Sequence, residues 1–162
     1  YCCWDFGAAS KDNCYTGGTG TMNALFFGQY IAWGKGAEKP PWFMADFEAG
    51  IWAGGSGAAN EVINANPTMA GVNYAFGILK TDTKKYSIQV GNGQSGNLTK
   101  VSDANLPFTT WKVEGGIILG TGGDNSNWGW GTFYEGAITN GRPTDEADAA
   151  VLKNVQDAKY GQ

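Results

Sequence analysis

The sequence predicts an all-β fold, a β-sandwich with one helix at its C-terminal end. Glycine accounts for 26 of the 162 residues without a collagen-like period, and aromatic residues for 14%. Glycine excess beside β-branched and aromatic residues is typical of short strands joined by tight turns. A hydrophobic content of 42% is enough to form a core, which argues against disorder. The length fits a single domain, residues 1–162, with no repeat or linker to divide it.

Several segments carry the patterns of strands. Two of them alternate in hydrophobicity with period two, as half-buried strands do, and turn-forming residues at 91–93 follow the second. A short apolar run at 115–120 is typical of a buried strand that ends in a polar loop. The predicted strands are residues 42–48, 72–78, 86–90, 115–120 and 131–138.

The last part of the chain predicts one helix. Residues 143–146 supply a cap and an acidic first turn, where carboxylates suit the helix dipole. The face expected to pack on the sheet comprises Ala147, Val151, Asn154, Val155 and Ala158. We expect this helix to close the fold and to carry no functional site.

Charge and composition exclude several classes of function. The chain has no histidine, which removes Ser-His-Asp and Cys-His catalysis and histidine-ligated zinc. A net charge of -4 argues against a nucleic-acid partner. No apolar run reaches the roughly 18 residues that a membrane helix needs. Acid–base chemistry therefore falls mainly to the 15 carboxylates.

The strongest local signal is Asp46-Phe47-Glu48. Residues i and i+2 of a strand project to the same face, so both carboxylates point the same way and Phe47 points to the other face. Two close carboxylates repel, which tends to raise the pKa of one of them and suits acid–base or nucleophilic work. The alternative is a solvated strand face.

A second signal is the loop 122–127, Gly-Gly-Asp-Asn-Ser-Asn. Glycines let a backbone approach a ligand closely, and Asp124 could face the strand pair across a cleft. An Asx turn without a ligand and a calcium loop are the alternatives, although a calcium loop of the EF-hand type would need a later Glu. No Gly-Lys-Ser/Thr follows, which excludes a phosphate loop.

The cysteines favour a secreted, extracellular protein. Cys2 and Cys3 are adjacent, and a disulfide between them would close a strained but rigid ring that could lie under a sugar. Alternatively each pairs elsewhere, or Cys14 pairs with one of them. The glycosylation sequon at Asn97 points to the same compartment.

Taken together, these motifs resemble a known family. The Cys-Cys pair, Asp-x-Glu and Gly-Gly-Asp-Asn-Ser-Asn occur in the order found in the catalytic domain of glycoside hydrolase family 54, the secreted α-L-arabinofuranosidases. The resemblance runs over nearly the whole chain. The segments that carry it are residues 2–7, 42–48, 114–127, 131–136 and 158–160.

The resemblance implies a concanavalin-like, jelly-roll β-sandwich and a retaining hydrolase that needs no cofactor or metal. By the family's pattern, Glu48 matches the nucleophile and Asp124 the general acid/base. The residues that match sugar-binding positions are Asp46, Trp33, Gly123 and the disulfide floor Cys2-Cys3. The expected substrate is arabinose-containing, plant-type polysaccharide, from which terminal α-L-arabinofuranose is released.

Some features depart from the family's pattern. Only the later part of its catalytic domain is present, so missing strands or a partner chain would complete the sandwich. Ala49-Gly50 stand where relatives can carry two asparagines. The alternative function is therefore a non-catalytic carbohydrate-binding or structural, assembly subunit.

Overall fold

The computed structural model describes residues 3–9, 22–29, 31–32, 34–48, 50–57, 66–107, 113–123 and 126–162. Within these ranges it contains eight strands and one helix. The strands are β1 (Asp5–Ala9), β2 (Met22–Gly28), β3 (Trp42–Asp46), β4 (Ile51–Trp52), β5 (Ala75–Thr81), β6 (Lys85–Asn92), β7 (Ser95–Asn105) and β8 (Ile117–Leu119), and the helix is α1 (Asp145–Asp157).

Two antiparallel sheets pack face to face. One has the strand order β4-β3-β2-β1-β8 and the other β5-β6-β7. The hydrophobic core between them takes side chains from β3 of the first sheet and from β6 of the second. Its buried members are Phe43, Ala45, Phe47, Trp52, Met69, Tyr86, Ile88, Val90 and Val101. The predicted all-β sandwich with one C-terminal helix is confirmed.

The strand predicted at 86–90 is confirmed as the central part of β6. The strand predicted at 72–78 corresponds to β5, but the prediction begins too early. β5 starts at Ala75. The turn predicted at 91–93 is also misplaced, because Gly91 and Asn92 still pair with β5 and the turn falls at residues 93–94. Cross-strand pairing, rather than local glycine content, sets where this hairpin ends.

The strand predicted at 131–138 is wrong. No strand occurs between residues 126 and 144, and this segment runs exposed over the surface of the described chain. The strand at 115–120 exists as β8, but it is not buried, since Ile117 is 65% and Leu119 47% exposed. β8 is the outermost strand of its sheet, so its apolar side chains lie at an edge.

The helix is confirmed, with a different buried face. Thr144 is its N-cap and its side chain accepts a hydrogen bond from the Ala147 amide. The side chains buried against the sheet are Asp148, Leu152 and Val155, whereas Val151 is 51% exposed. No helix in the described ranges is long and apolar enough to span a lipid bilayer.

An ion pair in the interior explains why the buried helix face contains an aspartate. Lys80 of β5 contacts the Asp148 carboxylate of α1, and both side chains are almost fully buried. Gln89 of β6 donates a second hydrogen bond to that carboxylate at 2.6 Å. Burial alone would lower the pKa of Lys80, but its hydrogen bonds to Asp148 and Asp145 outweigh burial and raise it. Lys80 therefore stays charged, and its contact with Asp148 fixes the helix on the sheet.

We predict that K80M destabilises the protein by about 3–5 kcal/mol, because it leaves the Asp148 carboxylate buried without its cation. Chemical denaturation of the intact protein measures this. The matched control is K153M, which breaks the exposed pair between Lys153 and Asp157 on the same helix and should cost less than about 1 kcal/mol. Adding D148L to K80M should restore much of the loss. Equal effects of K80M and K153M would contradict the role given to the buried pair.

Candidate active site

One face of the five-stranded sheet carries two buried carboxylates. Side chains alternate along each strand and cross-strand partners share a face, so the register of β1, β2 and β3 places Asp5 and Asp46 on the side away from the core. In the register, Asp5 lies opposite Phe26 of β2, and Asp46 lies opposite Ala24, the next residue of β2 on the same face. We call this side the carboxylate face; it comprises Asp5, Gly7, Ala9, Met22, Ala24, Phe26, Trp42, Met44 and Asp46.

Asp5, Asp46 and Cys3 form a compact buried cluster on this face. They are 0%, 4% and 4% exposed, and one carboxylate oxygen of each aspartate and the Cys3 sulfur lie within 4.8 Å of one another. The distances alone would fit a metal ion. However, Cys3 is disulfide-bonded, and the metal ligand is a thiolate rather than a disulfide sulfur. The cluster therefore lacks the thiolate that a cysteine would contribute to a metal site.

Glu48 follows β3 in a tight turn. The strand predicted to include Glu48 ends at Asp46, and the Glu48 backbone adopts φ 68°, in the left-handed region. Its amide donates to Asp46 Oδ1 at 2.9 Å. The Phe47 ring between them is buried in the core, against Trp52 and Tyr86 at ring-centroid distances of 5.4 and 5.3 Å. Phe47 therefore anchors the turn in the core, on the opposite side of the sheet from Asp46.

The Glu48 carboxylate reaches the carboxylate face and meets the loop after β8. A Cβ atom built on Gly123 would lie 2.7 Å from Glu48 Oε2, 3.1 Å from Met22 Sδ and 3.6 Å from Ala9 Cβ. Met22 and Ala9 belong to the carboxylate face, so Glu48 lies at its rim. A side chain at position 123 would displace the Glu48 carboxylate, so glycine suits this close approach.

The loop itself is closed by local hydrogen bonds. The Gly122 amide donates to the Ser126 carbonyl at 2.7 Å, and Thr121 Oγ1 donates to the same carbonyl at 2.9 Å. Both bonds span positions 124 and 125, which connect Gly123 to Ser126. These two hydrogen bonds tie Thr121 and Gly122, which precede Gly123, to Ser126.

The structure brings together four of the residues singled out in the sequence: Cys3, Asp46, Glu48 and Gly123. The other three, Cys2, Trp33 and Asp124, lie outside the described residues, as does Cys14, so the adjacent disulfide stays a prediction. Sequence reasoning gave no role to Asp5. One signal could have revealed Asp5. It is a charged residue on the same strand face as Gly7 and Ala9, which are small and buried.

Paired carboxyl groups are the machinery with which most glycoside hydrolases cleave a glycosidic bond. The comparison with protein families is specific on this point. The chain belongs to the family described as "Alpha-L-arabinofuranosidase B, catalytic", whose model matches residues 1–161.

Curated fungal relatives are similar over almost the whole chain. The "Arabinofuranosidase/B-xylosidase" of Trichoderma koningii is 38% identical over 98% of this chain and 32% of its own length. "Alpha-L-arabinofuranosidase B" of Aspergillus oryzae is 37% identical over 98% of this chain and 31% of its length. The chain therefore spans about a third of the curated relatives that it matches.

Solved structures agree with the sequence relatives. A glycoside hydrolase family 54 α-L-arabinofuranosidase soaked with a cyclic sulfate inhibitor superposes with a TM-score of 0.86 at 36% identity, covering 98% of this chain and 33% of the solved one. An arabinofuranosidase in complex with arabinofuranosyl-α-1,2-xylobiose gives the same TM-score at 34% identity and the same coverage.

The left-handed conformation of Glu48 should lower the free energy of unfolding. A left-handed conformation costs a non-glycine residue about 1–2 kcal/mol, and glycine removes that cost. We expect E48G to be more stable than E48A by about 1 kcal/mol, since both variants lose the carboxylate but only E48G loses the strain. Denaturant midpoints of the intact protein measure the difference. Equal midpoints, or a more stable E48A, would contradict this prediction.

Proposed function

We propose that this chain forms part of a retaining glycoside hydrolase that releases terminal α-L-arabinofuranose from plant-type polysaccharides. The observation that carries the proposal is the geometry of Glu48, whose carboxylate approaches the Gly123 backbone and whose amide donates to Asp46 Oδ1. Membership of the α-L-arabinofuranosidase B catalytic family supports the same reaction.

In the proposed mechanism Glu48 is the nucleophile. Its carboxylate attacks the anomeric carbon of arabinofuranose while the glycosidic C–O bond breaks, giving a covalent glycosyl ester and the free alcohol of the leaving group. Glu48 suits this role because its turn fixes the carboxylate at the rim of the carboxylate face.

Asp124 is proposed as the general acid and then the general base. It protonates the leaving oxygen in the first step and takes a proton from the water that hydrolyses the ester in the second. Retention requires the two carboxyl groups to be roughly 5–5.5 Å apart. The approach of Gly123 to Glu48 supports this assignment, because Asp124 is the next residue and consecutive Cα atoms are about 3.8 Å apart.

The remaining site residues are proposed to bind the sugar. The Asp46 carboxylate would accept hydrogen bonds from arabinose hydroxyls, and the Gly123 backbone would contact the sugar beside the acid. The Cys2-Cys3 pair is proposed as the floor and Trp33 as an aromatic wall. Asp5 lies close to Asp46 in the buried cluster, where it would help to orient the Asp46 carboxyl group.

We further propose that the protein is secreted and that additional strands complete the sandwich. The disulfide at Cys3 and the exposed sequon at Asn97 fit an extracellular protein. The exposed apolar residues of β8, Ile117 and Leu119, lie at a sheet edge where further strands of the same polypeptide or of a partner chain could pair.

The test is E48Q in the intact protein, assayed on 4-nitrophenyl α-L-arabinofuranoside. Glutamine keeps the size of the side chain but is a poor nucleophile, so kcat should fall at least about a thousandfold. The matched control is Glu38→Gln, an exposed glutamate outside the site, which should keep full activity. Full activity in E48Q would overturn the assignment of Glu48.

A non-catalytic carbohydrate-binding module is the second candidate, favoured by Ala49-Gly50 standing where the resemblance leads us to expect asparagines. Binding of arabinan by the unaltered protein without release of arabinose would support this candidate and contradict hydrolysis.

A further inference from the structure

One surface motif, Asn97-Leu98-Thr99, has no part in the mechanism above. It is the only Asn-x-Ser/Thr tripeptide of the sequence in which the middle residue is not proline. This tripeptide is the acceptor for N-linked glycosylation in secreted proteins. Asn97 and Thr99 are both exposed, so the folded protein can carry a large polar substituent on Asn97 without burying it.

A second Asn-x-Thr tripeptide, residues 66–68, shows the opposite features. Its middle residue is proline, which the acceptor motif excludes. Asn66 is fully buried, and its amide nitrogen donates to the carbonyl oxygens of Phe43 and Ala53, both at 3.0 Å. A glycan on this nitrogen would break both hydrogen bonds. The fold therefore admits a glycan at Asn97 and excludes one at Asn66.

Asn97 lies in an irregular part of the β6–β7 ladder. The register shifts between Val90 and Asn92, so that residues 96–98 lie opposite Gly91 alone. Extra residues in one strand form a bulge, which changes the direction of the side chains within it. This bulge brings Asn97 to the margin of a groove between β7 and α1.

The groove, which we call the β7–α1 groove, has a volume of about 340 Å³, at the lower end of the usual range for ligand sites. Leu98 of β7 and Leu152 of α1 both pack over Gly91, since a Cβ on that glycine would lie 3.4 and 3.2 Å from their Cδ2 atoms. The groove therefore combines apolar and polar lining. The residues that matter here are Asn97, Leu98, Lys100, Leu152, Lys153 and Gln156.

Contacts at both ends of α1 hold this groove in shape. In the last turn of the helix, Gln156 Nε2 donates to the carbonyl oxygens of Asn92 and Gly96 at 3.1 and 2.9 Å. In the first turn, Asp145 accepts a hydrogen bond from Lys100 of β7 at 2.5 Å. The helix is thus fixed along β7, and the space between them is preformed.

We propose that Asn97 carries an N-linked glycan whose first N-acetylglucosamine packs in the β7–α1 groove. The oligosaccharide comes from a lipid-linked diphosphate donor. The bond from sugar C1 to the diphosphate oxygen breaks, a bond from C1 to Asn97 Nδ2 forms, and that nitrogen loses a proton. The C–H face of the sugar packs on Leu98, and the Lys153 amino group donates to its oxygens. The proposal rests on the proposed secretion and is independent of the proposed hydrolysis.

Peptide mass spectrometry tests the modification. The intact protein, isolated from its native source, is treated with peptide-N-glycosidase F in heavy-oxygen water, which converts a glycosylated asparagine to a labelled aspartate. We expect the label at position 97. In a fungal secretory host, N97Q and T99A should lack the glycan, whereas T99S keeps the acceptor motif and should retain it. An unlabelled Asn97 in the native protein would overturn the proposal.

Hydrogen–deuterium exchange tests the packing of the first sugar. Endoglycosidase H leaves one N-acetylglucosamine on the asparagine, so exchange of the α1 amides should stay as in the untreated protein. Complete removal by peptide-N-glycosidase F should speed this exchange about fourfold, the effect of exposing one CH₂ group. N97Q should exchange as fast as the fully deglycosylated protein, because the loss of sugar, and not the new aspartate charge, is the cause.

Equal exchange of α1 in all these forms would overturn the packing of the sugar in the groove. Activity separates the proposal from the proposed function. N97Q should keep its kcat/KM on 4-nitrophenyl α-L-arabinofuranoside, because Asn97 belongs to β7 and the candidate site to the other sheet. A glycosylated protein without hydrolysis would contradict the hydrolase alone, and an active protein without the glycan would contradict this proposal alone.

Discussion

The candidate site depends on how the chain turns after β3. Glu48 takes a left-handed conformation that is unfavourable for any residue other than glycine, and two contacts stabilise it. Its amide donates to the Asp46 carboxylate, and the preceding Phe47 ring is fixed in the core against Trp52 and Tyr86. Strain of this kind persists where the surrounding structure determines it strongly, and such positions are enriched at functional sites.

The two sheets have different parts in supporting this turn. The five-stranded sheet places Asp5 and Asp46 on one face and sends Phe47 to the other. The three-stranded sheet provides the surface on which Phe47 packs, and it is in turn covered by α1 through the buried contact of Lys80 with Asp148. Packing of Phe47 between the sheets therefore fixes the position of the acidic groups on the carboxylate face, and a catalytic site requires such fixed positions.

Local chemistry was predictable from the sequence. The Thr144 cap, the opposite orientations of Phe47 and the acidic pair, and the close turn around Gly123 all depend on residues near in sequence. Long-range pairing was not predictable. β1 contains glycine and alanines with weak strand preference, and it forms because β2 and β8 pair with it. The buried helix face contains Asp148 because of Lys80, 68 positions earlier in the chain.

At 131–138 a strand was predicted that does not form. These residues have high strand preference, but no described strand lies beside them to pair with. Asp5 was overlooked for a related reason: its proximity to Asp46 arises across β2 and cannot be seen along the chain. The parts of the site that sequence motifs reveal are those built within one turn or loop.

The central claim is that Glu48 is the group that attacks the sugar, and trapping the covalent intermediate tests it most directly. The intact protein would be incubated with an arabinofuranose-configured cyclic sulfate, the kind of inhibitor soaked into a solved relative, then digested and analysed by peptide mass spectrometry. We expect one arabinose-derived adduct per protein, located on Glu48. An adduct on Asp46 or on another carboxylate would contradict this account.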